Sequence, residues 1–455
     1  MEKIKKFWKD DKKSIKYALQ VAWPAIVDSF FVAVVALVDS FMVSQMGTYA
    51  VAAIGLTVQP KFIGLTVFIA ISTAVSATVA RRKGEGDKRA ANETMFTAMI
   101  IAMIAVVFVS ILSVCFANQI ISFIGSEPET HADAVIYLRI IMGALVFTII
   151  SWIINAAQRG SGNTKLAMKM NVVANSVNVI FNYLLIGGNF GFPALGVRGA
   201  AIATVIGTIV GSGMSISSLF NKKSYVSVPY IIKEKIKPSF RIARTIYNFA
   251  VNVFVEQIML RIGFLISAML TAGLGTVALA VNQVAGNILS LSFSFGDGLQ
   301  IAAVTLIGQS LGEGKPKKAV KYGSICQMIG LCISLVLAVL FFMCGKMFFA
   351  AFFPQDVEAI ELGSLLIPII VLIVLFQISQ VIYMGSLRAA GDVKFTTMVS
   401  TVSVTVFRPL ICYVFAYLLG IGLVGVWIGI FAEQCIKLGL TFWRFKSGKW
   451  MDKKI

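Results

Sequence analysis

The chain has 455 residues, of which 58% are hydrophobic and only 13% charged, with a mean hydropathy of +0.86. A soluble protein carries about 25% charged residues, so this composition excludes a cytosolic enzyme, a disordered chain and a secreted disulfide scaffold. The net charge of +19 does not point to nucleic acid either: the basic residues form short blocks between apolar runs, not one surface interleaved with aromatics.

In chain order, the apolar runs predict twelve membrane-spanning helices. The first six lie near 17–46, 51–80, 92–124, 134–157, 164–187 and 196–220. The second six lie near 242–271, 277–310, 320–353, 362–387, 396–418 and 423–443. The joints carry Gly, Pro, Asn or charge clusters, as helix ends do. The first run is too long for a signal-peptide core and carries Asp28 and Asp39, so it reads as a retained span. The fold class is an all-α polytopic membrane protein. Its predicted parts are a basic N-terminus (1–16), a first lobe (17–220), a linker (221–241), a second lobe (242–443) and a C-terminal tail (444–455). The six cysteines lie inside apolar runs without C-x-x-C spacing and read as small hydrophobes, so no metal site is expected.

Charge sets the expected orientation. Placing both termini and every second loop on one side puts 33 of the 40 lysines and arginines there. The opposite loops hold Glu127, Glu129, Asp133, Asp356, Glu358 and Glu361, with Lys346 nearly alone as a base. The positive-inside rule then makes both termini cytoplasmic and the protein a multi-pass protein of the cell membrane.

The two halves repeat. Gly47-Thr48-Tyr49-Ala50-Val51-Ala52 matches Gly275-Thr276-Val277-Ala278-Leu279-Ala280 at an offset of 228, and Gly84-Glu85-Gly86 recurs as Gly312-Glu313-Gly314 at the same offset. Arg159, Gly162 and Lys165 return as Arg388, Gly391 and Lys394 at 229; Gly196 and Gly199 return as Gly422 and Gly425 at 226. Six spans per half means that both copies insert the same way up, as parallel repeats. Two pseudo-symmetric six-helix lobes around a central cleft are the expected architecture, that of an alternating-access carrier.

Three stretches stand out: Pro24-Ala25-Ile26 with Leu37-Val38-Asp39-Ser40-Phe41-Met42-Val43; Leu306-Ile307-Gly308-Gln309-Ser310-Leu311-Gly312-Glu313-Gly314; and Gly191-Phe192-Pro193-Ala194-Leu195-Gly196-Val197-Arg198-Gly199-Ala200-Ala201. In their order and spacing the chain resembles, over nearly its whole length, the multidrug and toxic compound extrusion (MATE) transporters of bacterial NorM- or DinF-like type. The resemblance implies export of organic cations driven by inward H+ or Na+, with no cofactor beyond that coupling ion.

An ionisable group at membrane depth costs about 2.5–3.5 kcal/mol on insertion scales, so each needs a reason. The acids are Asp28, Asp39, Glu256, Asp297 and Glu433; the bases are Lys61, Arg261 and Arg408. Asp28 and Asp39, 11 residues apart, project from one helix face about 16 Å apart. Pro24, one turn before Asp28, permits a bend. Adding the 228 offset to Asp28 gives Glu256, so each lobe is expected to offer one mid-depth carboxylate to the cleft. A carboxylate in a low-dielectric cleft can exchange a proton near neutral pH and is the natural counter-charge for a cationic drug or Na+. Asp28, Asp39 and Glu256 are therefore the candidates for ion coupling and substrate binding; the structural alternative is a salt bridge to Lys61, Arg261 or Arg408.

The family resemblance matches Asp39 to the span-1 aspartate, Pro24 to the span-1 bending proline and Glu256 to the span-7 glutamate of the NorM-like branch. The Asn and Asp of span 5 in the DinF-like branch stand here as Asn178 and Asn182, and span 10 lacks an acid, so neither branch's full ion site is present. Asn175, Asn178 and Asn182 share a helix face, and Gln283, Asn287, Gln377 and Gln380 are candidate cleft-lining groups, with helix–helix hydrogen bonding as the alternative. Asp297 between two glycines predicts a break in span 8. Glu433 can pair with Lys437 four residues later, and Arg408-Pro409 is expected to serve packing. Phe254, Phe376, Tyr383 and Trp152 are candidates for stacking on flat cations.

Neither H-E-x-x-H nor G-x-x-x-x-G-K-[ST] occurs, and the sole histidine, His131, sits in a loop, so no enzyme constellation is visible. The rival reading is a lipid-linked oligosaccharide flippase of a related two-lobed design, which should present bases to its cleft where this chain presents acids. The expected partners are small organic cations and the lipid bilayer, without nucleic acid, and the expected state is a monomer.

Overall fold

The structure, a computed structural model, describes residues 2–453. The ends of the two predicted cytoplasmic tails (residues 1, 454 and 455), and the side chains of residues 2–11 and 48, lie outside the described residues. Every regular element among the described residues is helical. In chain order these are α1 (Glu2–Ser44), α2 (Thr48–Gly84), α3 (Lys88–Cys115), α4 (Ala117–Phe123), α5 (Pro128–Gly143), α6 (Leu145–Gly160), α7 (Thr164–Gly187) and α8 (Gly196–Leu219). There follow α9 (Val228–Lys233), α10 (Phe240–Ala272), α11 (Thr276–Gly312), α12 (Pro316–Phe352), α13 (Val357–Ala389), α14 (Val393–Val402), α15 (Arg408–Tyr413) and α16 (Leu423–Lys446).

Among the described residues, eleven spans are long and apolar enough to cross a membrane, and the pair α5–α6, bent by 46°, makes a twelfth. Twelve spans match the expectation, with three corrections in detail. The run expected at 134–157 is two helices, beginning at Pro128, whose missing N–H suits the first helical turn. The run at 92–124 divides into α3 and the short α4. The run at 396–418 holds two π-helical turns, Ser403–Phe407 and Val414–Leu418, around α15. Pro409 cannot donate to the preceding turn, and a widened turn accommodates the freed carbonyl.

The repeat is written into the backbone. Gly47 and Gly275, at the two N-caps of α2 and α11, have φ/ψ of 107/171° and 104/170°. At the ends of these helices, Glu85 N–H donates to Arg81 O, Gly86 to Lys83 O and Asp87 to Arg82 O; Glu313, Gly314 and Lys315 donate to Gln309, Leu311 and Ser310 in the same pattern. Gly86 and Gly314 have φ of 76° and 69°, a left-handed conformation that glycine adopts without strain. The turns after α6 and α13 share two of these three bonds, Gly162 and Gly391 donating to Arg159 O and Arg388 O, and Asn163 and Asp392 to Gln158 O and Leu387 O, with Gly162 and Gly391 at φ of 84° and 90°.

The chain forms two compact units, whose boundaries fall inside α1 and α10: one holds Phe31–Val251, and the other the chain up to Phe30 together with Asn252 onward. Within the first unit, small residues bring backbones together. A Cβ on Gly160 would lie 2.4 Å from Ser76 O, and one on Gly199 2.4 Å from Leu185 O. The segment after α8 is anchored to α3: buried Asn92 donates to Tyr225 O at 3.1 Å and accepts from Ser227 N–H at 2.9 Å.

Within the second unit, α11 runs unbroken from Thr276 to Gly312, so the break expected at Asp297 is absent. The flanking glycines serve close packing instead: a Cβ on Gly298 would lie 2.4 Å from Ile26 Cα, and Gly296 faces α13 at Val381 and Ile378. The first part of α1 is held on this unit by that contact, by Tyr17 Oη donating to Gln309 Oε1 at 3.4 Å and by the ring pair Phe30–Phe295.

Candidate functional site

The first unit contains one polar cluster around Asp39. The carboxylate accepts from Asn182 Nδ2 at 2.7 Å. Asn178 lies one turn earlier on α7; a carboxylate only accepts, so the Asn178 amide presents its nitrogen, at 3.2 Å from both Asp39 oxygens, while its oxygen accepts from Thr204 N–H at 3.2 Å. The 3.6-residue period of α7 places both amides toward α1, and a close approach of α8 at Gly207, where a Cβ would lie 2.7 Å from Ala174 O, brings Thr204 alongside. Asn182 is buried, and its Oδ1 has no hydrogen-bond partner. Lys61 on α2 supplies the positive charge that acts on Asp39.

A cavity of about 180 Å³ opens onto this cluster, lined by Asp39, Asn182 and Thr204 on its polar side and by Val43, Ile54 and Tyr137 on its apolar side. Asn175, the third amide on the predicted face, is only half-buried and is not among the residues lining this cavity.

In the second unit three buried acids, Glu256, Glu433 and Asp392, are held by bases. Glu256 on α10 is buried, and Arg388 at the end of α13 donates to it at 2.6 Å. None of the three bases considered from sequence is this partner; Arg388 lies 132 positions away and stood out only as a repeat match. Glu433 accepts from Lys437 at 2.6 Å and from Arg408 at 3.1 Å, and the Arg408 guanidinium lies 5.0 Å from the centre of the Phe264 ring. Asp392 and Arg444 pair at 2.6 Å between the end of α16 and the turn before α14, a bridge that sequence reasoning missed.

Asp28 is buried on the part of α1 that belongs with the second unit, as Glu256 does. The close seat of Ile26 on Gly298 ties this stretch of α1 to α11. Pro24 is also buried there, within a continuous helix. Gln377 and Gln380 are buried on α13, whereas Gln283 and Asn287 are exposed on α11. Of the aromatic candidates, Phe376 packs edge-on against Phe431, and Tyr383 against Phe442 and Phe445.

The sequence pattern of the MatE family matches twice, at residues 24–184 and 253–414, once in each half of the repeat. The chain belongs to the MatE family. It is similar to the probable multidrug resistance protein NorM of Thermotoga maritima, at 26% identity over 97% of this chain and 94% of that protein. It is also similar to the uncharacterized transporter YisQ of Bacillus subtilis, at 25% identity over 95% and 94%. Among solved structures, an outward-facing multidrug resistance MATE transporter superposes with a TM-score of 0.88 at 20% identity, covering 96% of both chains. A transporter of the same superfamily from Pyrococcus furiosus superposes equally well, at 21% identity and 97% coverage of both chains. As a member of that family the chain is a membrane transporter of all-helical fold, and not an enzyme. MATE membership also explains why one family pattern occurs twice in a single chain.

Proposed function

We propose that this MATE protein is a secondary efflux antiporter that exports small organic cations in exchange for inward H+ or Na+. It acts as a monomer in the cell membrane with both termini cytoplasmic, the side to which 33 of its 40 lysines and arginines are assigned. The observation that carries the reading is the Asp39 cluster: a carboxylate at membrane depth, held by two amides and open to a cavity. Asp39, the unpartnered Asn182 Oδ1 and the Thr204 hydroxyl are hard oxygen donors of the kind that hold a small alkali cation, and Asp39 alone can take a proton.

A cationic drug needs the same carboxylate as its counter-charge. Drug and coupling ion then exclude one another, and alternating access turns that competition into exchange. Lys61 serves as the internal cation that keeps Asp39 compensated between occupants. Glu256 and Asp28 remain in the proposed coupling set, with Glu256 held by Arg388.

The test is efflux of a fluorescent organic cation from drug-sensitive cells, wild type against Asp39→Asn, with the pH and Na+ gradients collapsed separately. Loss of efflux in the variant and under one ionophore supports antiport and names the ion. Wild-type efflux no faster than that of empty vector, at equal expression, overturns the reading.

A further inference from the structure

A second cavity lies wholly within the second unit, between α12, α13 and α16, with a volume of about 520 Å³. Met328 and Leu331 of α12, Phe376 and Tyr383 of α13, and Cys435 and Phe442 of α16 form its walls. The polar group at its edge is already used, since Gln327 Nε2 donates to Ser379 O at 2.8 Å. No acid is among the lining residues, so a cationic drug would find no counter-charge here.

The groove has a basic end. Lys321 precedes Met328 by seven residues, two turns along the same face of α12. Lys446 follows Phe442 by four, and its Nζ lies 5.9 Å from the centre of the Phe442 ring. The two helix ends are brought together by Phe445, which fills the space at Gly323, where a Cβ would lie 2.6 Å from the ring. From Lys446 to Cys435 is about 16 Å of helix, and from Lys321 to Leu331 about 15 Å. Half the hydrocarbon thickness of a bilayer is also about 15 Å.

An apolar slot one leaflet deep, ending in lysines at the level where lipid phosphates lie, matches one kind of molecule. We propose that the groove binds an anionic glycerophospholipid, one acyl chain lying along Phe376, Tyr383 and Phe442 and the phosphate held between Lys321 and Lys446. Basic pockets between membrane helices select anionic headgroups, and the apolar walls contribute whatever the headgroup. Two lysines near an anionic lipid surface give a preference of roughly thirtyfold over a zwitterionic lipid.

Cys435 reports occupancy, because a lipid chain in the groove covers it, while exposed Cys115 on α3 serves as the internal reference. The full-length protein would be placed in nanodiscs of phosphatidylcholine alone or with phosphatidylglycerol, and labelling by a membrane-permeant maleimide would be followed at each cysteine by peptide mass spectrometry. The expected result is slower labelling of Cys435 with phosphatidylglycerol, no change at Cys115, and loss of the difference in Lys321→Gln/Lys446→Gln. A second variant, Gly439→Phe, fills the groove from a position where a Cβ meets nothing within 4 Å; it should protect Cys435 in either lipid. Equal protection by both lipids in the wild type, or selectivity that survives removal of both lysines, would overturn the proposal.

Discussion

Replacing Arg388 with Met keeps the aliphatic stem and leaves Glu256 buried with its charge uncompensated. The pair meets at 2.6 Å, with the Glu256 side chain 2% and the Arg388 side chain 13% exposed. With charge centres roughly 4 Å apart and an effective dielectric of about 20, the attraction is about 4 kcal/mol, much of it offset by desolvation of the two ions. Removing one partner exposes that desolvation cost, so Arg388→Met should destabilise the protein by about 3–5 kcal/mol. Glu256→Gln should cost less, because the orphaned guanidinium is the more exposed member. The double variant Glu256→Gln/Arg388→Met should recover most of the loss. Thermal unfolding of the purified protein in one detergent gives the ranking: wild type and double variant close together, Glu256→Gln below them, Arg388→Met lowest. Additive losses in the double variant would refute the argument that this pair is a compensated unit.

Lys61→Met removes a positive charge that acts on Asp39 and should lower the apparent KM for a monovalent cationic substrate by about tenfold, equivalent to about 1.4 kcal/mol; an unchanged or higher KM in transport assays contradicts this. Gly298→Val places side-chain atoms into the Ile26 backbone, 2.4 Å from the Cβ position, and should cost about 1–3 kcal/mol or more by overpacking; wild-type thermal stability would disprove the close seat of α1 on α11. Burial alone would raise the Glu313 carboxyl, but hydrogen bonds and charge from Lys318 and Lys315 outweigh it and hold the group below the ordinary carboxylate range. The sign follows: its contribution is present above the unfolded-state value and lost as pH falls through the lower folded value. Protection of the Gly314 and Lys315 amides, measured against their intrinsic exchange rates, should therefore fall in the acid range in wild type, and Glu313→Gln should show the reduced protection already at neutral pH.

The fold was legible because insertion into a bilayer demands long apolar runs and signals them by length alone. The glycine repeats were legible because a positive φ admits few other residues, and Gly47, Gly86, Gly162 and Gly196 share a positive φ with Gly275, Gly314, Gly391 and Gly422. Helical spacing put Asn178 and Asn182 on one face of span 5, but nothing in the sequence said that this face meets Asp39. Charge pairing was legible only locally: Glu433–Lys437 is an i,i+4 pair, whereas Glu256–Arg388 and Asp392–Arg444 join residues 132 and 52 positions apart. No period in the chain encodes such distances. The break expected at Asp297 failed for a related reason, since a glycine pair reads the same whether it bends its own helix or admits a neighbour.

The most direct test of the account is substrate exchange by the purified protein in proteoliposomes, with an imposed pH gradient or an imposed Na+ gradient, comparing wild type with Asp39→Asn. The account predicts uphill movement of an organic cation driven by one of the two gradients in wild type, and none in the variant at equal reconstitution of stably folded protein. Gradient-driven transport that persists in Asp39→Asn would contradict the assignment of coupling to the Asp39 cluster.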